Sequence, residues 1–244
     1  MDKLYVIIPA YNEEANIEQV IKQWYPIVED YNGQMVIIDD GSTDRTYDIL
    51  RHKEKECPLL TAISKRNGGH GATILYGYQY ALEHHADYIF QTDSDGQTLP
   101  EEFEAFWENR RKFDMVIGFR KHREDGFSRI VVTRVLRVVT GVCFRVRIPD
   151  ANTPYRLMKG QTLARYIHLI PEKFNLTNVL ITVILVKKGC RVKWLPVTFR
   201  ARQGGENSMN MKKIFKIGLQ SVIDFRRMNQ ILQRKGECIE KDGV

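Results

Sequence analysis

Apolar residues in the first half of the chain fall alternately into short continuous runs and into runs with helical spacing. The short runs predict strands at residues 4–8, 35–38, 59–64, 87–92 and 115–118. The helical spacing predicts helices between them, at residues 13–28, 44–55, 70–84 and 101–112. Alternation of this kind is typical of a mainly parallel sheet with helices on both faces. The sequence therefore predicts an α/β fold.

The second half of the chain has a less regular pattern. A charged loop at 120–126 precedes a basic amphipathic helix at 128–140. The remaining predicted elements are an extended piece at 155–158, a helix at 175–188, a strand at 191–199 and a long terminal helix at 211–234. We expect one domain over residues 1–205, followed by a basic amphipathic helix and tail at 206–244.

Composition and charge narrow the class of protein. The 244 residues are 43% hydrophobic and 27% charged, which is ordinary for a globular protein with a core. The net charge of +7 indicates an anionic partner: a phosphorylated substrate, nucleic acid or an acidic membrane surface. The longest nearly apolar stretch, residues 179–186, is far shorter than the roughly 20 residues of a membrane span. Scattered cysteines without a C-x-x-C motif, and no signal peptide, predict a cytoplasmic location.

Polar residues cluster where three of the predicted strands end. These clusters are residues 9–13, the pair Asp39 and Asp40, and the pair Asp93 and Asp95. In parallel α/β sheets, ligands bind outside the carboxyl ends of the strands. We therefore expect the three clusters to meet at one edge of the sheet.

The spacing of Asp93 and Asp95 suggests a metal site. Side chains two residues apart on a strand point to the same face, and Gln97 follows close behind. Mg²⁺ and Mn²⁺ prefer oxygen ligands, and Mg²⁺ is commonly held by one or two carboxylates together with substrate phosphates. A solvated turn is the competing interpretation, since Asp and Gly favour turns.

Taken together, these motifs resemble the inverting family 2 glycosyltransferases, which have the nucleotide-diphosphosugar transferase (GT-A) fold. The matching segments are Ile-Ile-Pro-Ala-Tyr-Asn-Glu at 7–13, Ile-Asp-Asp-Gly-Ser-Thr-Asp at 38–44, Asn-Gly-Gly-His-Gly-Ala at 67–72 and Asp-Ser-Asp at 93–95. Within that family the chain looks most like the dolichol-phosphate mannose synthases and their bacterial polyprenyl-phosphate relatives. The resemblance implies that residues 1–119 bind a nucleotide-diphosphosugar donor and that residues 120–205 bind the acceptor.

The resemblance also assigns donor and metal ligands. The nucleotide-binding residues it implies are Pro9, Tyr11, Glu13, Asp39, Asp40, Gly68, Gly71 and Ser94. Asp93, Asp95 and Gln97 would hold Mg²⁺ or Mn²⁺. Tyr11 can stack on a base, and the glycines permit close backbone approach to phosphate. A solvated turn at 39–42 that caps the next helix, and a plain loop at the glycines, are the competing interpretations.

The implied reaction is direct displacement at the anomeric carbon of the sugar, with Asp95 and Arg202 as catalytic residues. Arg202 opens a segment, 202–208, that resembles a mobile motif of the family in which a cation covers the diphosphate. A basic surface loop is the alternative.

The lack of an acidic general base in the matching segment predicts the chemical type of the acceptor. Members of the family that glycosylate a hydroxyl often carry an acidic base beyond the metal site, but the matching stretch, 171–178, offers only Glu172. A lipid phosphate is already an anion, so the sequence favours polyprenyl phosphate. A transferase to a saccharide hydroxyl, with Glu172 as base, is the alternative.

Basic residues of the second half are predicted to hold that acceptor. The residues assigned by resemblance are Arg129, Arg134 and Arg137 on the basic helix, and Thr153 and Arg156 in a motif that departs from the family at Pro154 and Tyr155. An ordinary core helix with solvated arginines is the alternative.

The terminal helix at 211–234 carries many cations and few acids, so it is predicted to lie on an anionic membrane at the cytoplasmic face. It is also compatible with packing on its own domain or against a membrane-protein partner. Nucleic-acid binding explains the charge but not the paired aspartates, which repel phosphate without a metal.

Overall fold

The computed structural model describes residues 2–120, 127–200 and 224–230. For residues 127–135 it describes the backbone alone. It contains one sheet of seven strands in the order β3-β2-β1-β4-β6-β5-β7. The strands are β1 (Leu4–Ala10), β2 (Gly33–Asp39), β3 (Leu60–Ser64), β4 (Tyr88–Gln91), β5 (Met115–Arg120), β6 (Arg156–Lys159) and β7 (Val192–Val197).

Most neighbouring strands run parallel. β1 lies between β2 and β4 and is parallel to both, while β3 extends the sheet beside β2. β6 is antiparallel to β4 and β5, and β7 pairs parallel with β5. The predicted mainly parallel sheet is confirmed. Because β1, β2 and β4 are parallel neighbours, their carboxyl ends meet at one edge.

Helices cover both faces of this sheet. They are α1 (Ile17–Asp30), α2 (Thr46–Glu56), α3 (His70–Glu83), α4 (Phe103–Asn109), α5 (Phe127–Phe144), α6 (Gly160–Tyr166) and α7 (Thr177–Lys187). Short 3₁₀ turns occur at Pro100–Glu102 and Ile167–Leu169, and residues 224–230 are helical. Within the described ranges, no helix combines the length and the apolar character that a membrane crossing requires.

Two apolar clusters form the core, one on each face of the sheet. Successive strand side chains point to opposite faces, so Ile7 joins the cluster under α3 and α7 while Ile8 joins the cluster under α1 and α4. Nine of the eleven residues of α7 are buried, which explains why this helix is apolar on all sides.

Several predicted boundaries are wrong. α1 begins at Ile17 and not at residue 13, because Glu13 closes a turn by accepting the N–H groups of Asn16 and Ile17 at 2.9 Å each. β4 ends at Gln91, so Asp93 and Asp95 lie in the following loop and not on a strand face. α6 was not predicted. The predicted domain boundary at 205 and most of the terminal helix at 211–234 lie outside the described residues.

Candidate active site

A cleft of about 390 Å³ opens at the carboxyl ends of β1, β2 and β4. All three predicted polar clusters contribute to it, so the prediction that they meet at one edge of the sheet is confirmed. The residues that line the cleft are Pro9, Ala10, Tyr11, Glu13, Asp40, Asn67, Gly69, His70, Thr73, Asp93, Ser94 and Asp95.

The turn after β1 presents Tyr11 to the cleft. Tyr11 is 47% exposed and is one of four exposed large apolar residues in the described ranges. Asn12, in the left-handed region at φ 54°, fixes this turn: its N–H donates to Ser42 Oγ at 2.9 Å, and its Oδ1 accepts from the Thr43 N–H at 2.8 Å. The ring of Tyr11 is therefore held on a braced turn and remains open to a flat ligand.

Glu13 closes the wall of the cleft below that ring. Its N–H donates to Thr46 Oγ1 at 2.8 Å, and its Oε2 accepts from Asn16 Nδ2 at 2.7 Å. These bonds orient a carboxylate that is only 8% exposed. Glu13 therefore lines the cleft as an ordered, partnered group.

Asp39 and Asp40 differ in their surroundings although they are neighbours. Asp39 is buried and accepts hydrogen bonds from Ser64 Oγ at 3.0 Å and from the Ser42 N–H at 3.3 Å. Asp39 does not line the cleft, and its assignment as a nucleotide-binding residue stays a prediction.

Asp40 organises the glycine-rich turn before α3. Its Oδ1 accepts from Lys65 Nζ and from the Gly68 N–H at 2.9 Å, and its Oδ2 accepts from the Gly69 N–H at 2.8 Å. Burial acts to raise the pKa of Asp40, but the hydrogen bonds from Lys65, Gly68 and Thr73 outweigh it and the pKa lies below its ordinary value. Asp40 is therefore an ionised anchor at the edge of the cleft.

The glycines have roles that the sequence did not assign. The N–H of Gly68 is taken by Asp40, and Gly69, at φ +86°, is the glycine of this turn that lines the cleft. At Gly71 a Cβ would lie 2.1 Å from the Phe174 carbonyl oxygen. This glycine therefore allows α3 to pack against the segment at 174–175, and its contact with phosphate stays a prediction.

Asp93 and Asp95 face the cleft from the loop after β4. Asp93 Oδ1 is buried without a hydrogen-bond partner, and it lies 3.9 Å from His70 Nε2. Buried polar atoms are nearly always satisfied, so an orphan carboxylate oxygen at a cleft fits a cation. No group of three His, Cys, Asp or Glu side chains with metal-binding geometry occurs in the described part of the chain.

The loop that carries these carboxylates is braced from behind. Asp95 Oδ1 accepts from the Gln97 N–H at 3.1 Å, and Gln97 Nε2 donates to the Arg200 carbonyl at 2.8 Å. Thr92 Oγ1 and Thr98 Oγ1 lie 2.6 Å apart across the base of the loop. Gln97 does not line the cleft, and its role as a metal ligand stays a prediction.

Two predicted acceptor residues belong to the core. Arg156 is fully buried, and its guanidinium donates to the carbonyls of Thr153, Asn178 and Ala151 and to Thr182 Oγ1. Thr153 is likewise 0% exposed. The prediction that Arg156 and Thr153 bind the acceptor is wrong in this structure, because neither side chain reaches solvent or the cleft.

Other residues of the predicted acceptor half are less enclosed. Arg137 is exposed on α5, while the side chains of Arg129 and Arg134, and the whole of Arg202, lie outside the described residues. Tyr155, a departure from the family motif, is buried and its hydroxyl donates to the Leu99 carbonyl at 2.9 Å. Glu172 is exposed and is not among the residues that line the cleft.

Sequence reasoning assigned no role to several residues that the structure places at the cleft. Asn67, His70 and Thr73 line it, and Lys65 holds Asp40. Their position in the sequence could have indicated this location, since all four lie in or beside the glycine-rich segment at 67–72.

Comparison with known proteins agrees with this geometry. The model of the family described as Glycosyl transferase family 2 matches residues 5–174. An undecaprenyl-phosphate mannosyltransferase of Micrococcus luteus is 25% identical over 215 residues, which cover 85% of this chain and 88% of that protein. A dolichol-phosphate mannosyltransferase of Pyrococcus furiosus is 25% identical over 224 residues, covering 88% of this chain and 61% of that protein.

A solved structure shows the same fold. Glucosyl-3-phosphoglycerate synthase from Mycobacterium tuberculosis, crystallised with Mn²⁺ and uridine-diphosphate-glucose, superimposes with a TM-score of 0.65. The two chains are 16% identical, and the match covers 94% of this chain and 79% of that one. The predicted GT-A fold is confirmed.

Proposed function

We propose that the chain, which belongs to glycosyl transferase family 2, transfers a sugar from a nucleotide diphosphosugar to a polyprenyl phosphate with inversion at the anomeric carbon. The observation that carries the proposal is the single cleft that gathers an exposed Tyr11, an ionised Asp40 and the orphan oxygen of Asp93. An aromatic ring, an ordered turn and paired carboxylates suit the base and the metal-bound diphosphate of one ligand.

The donor would lie with its base against Tyr11 and its diphosphate toward the loop at 93–95. Pro9, Glu13 and Ser94 form the walls between these points. Asp40 contributes through the shape of the turn, because its two oxygens already accept three hydrogen bonds. The Mycobacterium tuberculosis enzyme, crystallised with a uridine-diphosphate sugar, supports this class of donor.

Asp93 and Asp95 would hold Mg²⁺ or Mn²⁺. The fit rests on the Oδ1 of Asp93, which is buried and accepts no hydrogen bond, and on the second carboxylate that Asp95 adds at the cleft. A divalent ion at this position supplies positive charge to the departing nucleoside diphosphate. The protein's own part is to brace the loop, through Gln97 and the Thr92–Thr98 contact, so that both carboxylates stay aimed at the cleft.

The state of the carboxylates favours an acceptor that is already an anion. Glu13 is bonded to Asn16, Asp40 to Lys65, and the remaining pair is assigned to the metal. Glu172, the base that a hydroxyl acceptor would need, is exposed and outside the lining of the cleft. A phosphate oxygen needs no base to attack, whereas a hydroxyl does. The names of the Micrococcus and Pyrococcus relatives point the same way.

Cations of α5 and of the segment at 202–208 would complete the site. Arg137 is exposed on α5, and Arg129 and Arg134 belong to the same helix. We assign these arginines to the acceptor phosphate and Arg202 to the diphosphate. An acceptor with a lipid tail also implies peripheral contact with the cytoplasmic face of a membrane.

An acceptor competition tests this proposal. The purified full chain is given UDP- and GDP-sugars, Mn²⁺ or Mg²⁺, and either polyprenyl phosphate or free saccharides. We expect label to pass to the polyprenyl phosphate alone and to stop in EDTA. Transfer to a free saccharide hydroxyl, or full transfer in EDTA, contradicts the proposal.

A further inference from the structure

A second cavity, of about 380 Å³, lies at the carboxyl ends of α5 and α7, where the helical segment at 224–230 packs against them. Its lining residues are Val142, Cys143, Phe144, Arg145, Lys187, Arg226 and Asn229. Phe144 and Phe225 pack with ring centroids 5.4 Å apart, so the floor of the cavity is part of the core. The cavity is therefore a formed feature of the domain.

Among the described residues that line this cavity, three are cations and none is a carboxylate. Lys187 Nζ is fixed by Asn229 Oδ1 at 2.7 Å, and Arg145 and Arg226 are exposed beside it. Asp224 belongs to the same helical segment but is not in the lining. Burial, and after it the neighbouring charges of Arg145 and Lys188, lower the pKa of Lys187.

The backbone of Arg145 is a separate indication. Arg145 directly follows α5 and has φ 57°, and its N–H donates to the Gly141 carbonyl at 2.9 Å. This left-handed position after a helix favours glycine, and a long side chain there is strained. The chain thus places an arginine where the backbone alone would favour glycine, and its guanidinium adds charge to the cavity.

Two apolar side chains extend this surface into solvent. Val138 is 64% exposed and Val142 71% exposed, and a spacing of four residues puts both on one face of α5. Of the large apolar side chains in the described ranges, four are exposed, and these two lie together. An exposed apolar face beside clustered cations is typical of a surface that meets anionic lipid.

The cavity is remote from the catalytic cleft. Thr177, at the start of α7, donates through its hydroxyl to the Gly71 carbonyl, next to the cleft-lining His70. Lys187 lies at the other end of the same helix, about 15 Å away along its axis. A phosphate held at Lys187 is therefore not the reacting acceptor phosphate.

We propose that Arg145, Lys187 and Arg226 bind the phosphate of an anionic phospholipid headgroup, and that Val138 and Val142 enter the acyl boundary of the same membrane. This surface docks the domain on the bilayer independently of the catalytic cleft. RNA or DNA would match the cations but leave the two valines in water, so a lipid surface fits the whole patch.

Vesicle co-sedimentation of the full chain tests the docking surface. Vesicles of phosphatidylglycerol and phosphatidylcholine are compared with phosphatidylcholine alone. Arg145→Gly/Arg226→Gln should weaken binding to the anionic vesicles about 25-fold, since each cation near such a surface accounts for roughly a fivefold change in affinity. Arg145→Gly also relieves the left-handed backbone, so the melting temperature should not fall.

Matched control variants distinguish an effect of this cavity on vesicle binding from an effect of the protein's net charge. Lys55→Gln/Lys112→Gln removes the same number of charges from exposed positions outside the cavity, and it should change vesicle binding less than threefold. Val138→Gln/Val142→Gln should also weaken vesicle binding. The proposal would be overturned by equal losses of binding in the two charge variants or by no effect of the valine changes. It would also be overturned by displacement from vesicles by inorganic phosphate, or by equally tight binding to a single-stranded oligonucleotide.

The test is independent of the proposed reaction, because no donor or acceptor is present in the vesicle assay. A chain that transfers sugar but ignores anionic vesicles refutes the docking surface alone. A chain that binds the vesicles through this cavity but transfers no sugar refutes the proposed function alone.

Discussion

At the scale of single residues, two predicted ligands are bonded to other groups of the protein. Asp40 holds Lys65 and the N–H groups of Gly68 and Gly69, and Arg156 holds carbonyls of Thr153 and Asn178. A motif gives the type and position of a charged residue but not its bonding partner, which here lies up to 29 positions away. The sequence could therefore predict that these residues matter, and it could not decide between a ligand and a structural bond.

Asp40→Asn should destabilise the fold by about 1–3 kcal/mol, because Lys65 and two backbone N–H groups lose an ionised acceptor. The folded-state pKa of Asp40 is lowered, so its contribution is fully present above the ordinary pKa of an aspartate and is lost as the pH falls through the lowered value. Urea unfolding across this pH range should show the gap between wild type and variant shrinking on acidification. A gap that is independent of pH would show that the charge of Asp40 is not what stabilises the turn.

Tyr11→Ala should weaken nucleoside-diphosphate binding by about 1–3 kcal/mol while the melting temperature stays unchanged, because the exposed ring loses only its stacking contact. Tyr76→Ala is a matched control, since Tyr76 is 39% exposed on α3 and does not line the cleft. Calorimetry with free UDP and GDP measures the effect. Equal binding by the two variants would move the base site away from Tyr11.

At the scale of elements, apolar periodicity predicted the strands well, whereas local packing determines where several elements begin and end. The antiparallel β6 was seen as an extended piece, but α6 was missed because its seven residues offer too short a pattern. Because Glu13 closes a turn, α1 begins four residues later than predicted, at Ile17. Because β4 ends at Gln91, Asp93 lies in a loop. Each of these boundaries depends on hydrogen bonds that periodicity does not encode.

The packing of α3 gives a test at this scale. Gly71→Ala should destabilise the fold and weaken donor binding, because the new Cβ would lie 2.1 Å from the Phe174 carbonyl and would push the start of α3 away from the cleft. Gly141→Ala is the control, since a Cβ at Gly141 would meet its nearest atom, the Val146 carbonyl oxygen, at 3.6 Å. Thermal unfolding and nucleotide titration should separate the two variants. Similar behaviour of both would contradict the close approach at Gly71.

At the scale of the whole molecule, the parallel arrangement of β1, β2 and β4 is what makes one site from three distant motifs. The strands that carry those motifs end at Ala10, Asp39 and Gln91, and the sheet order places them side by side. The sequence could predict this convergence because alternating strands and helices allow few topologies. It could not predict the cavity at Lys187, because that cavity depends on how three helix ends meet.

The proposed reaction is metal-assisted transfer to a lipid phosphate without a protein base. The initial rate of sugar transfer to polyprenyl phosphate, measured with Mn²⁺ for wild type, Asp93→Asn and Glu172→Gln, distinguishes this reaction from transfer that needs a base. We predict that Asp93→Asn loses at least about a hundredfold in rate, as expected when charge stabilisation of a leaving group is removed. Glu172→Gln should stay within about twofold of wild type, because a phosphate nucleophile needs no base. A severe loss in Glu172→Gln, or near-normal transfer by Asp93→Asn, would contradict the account.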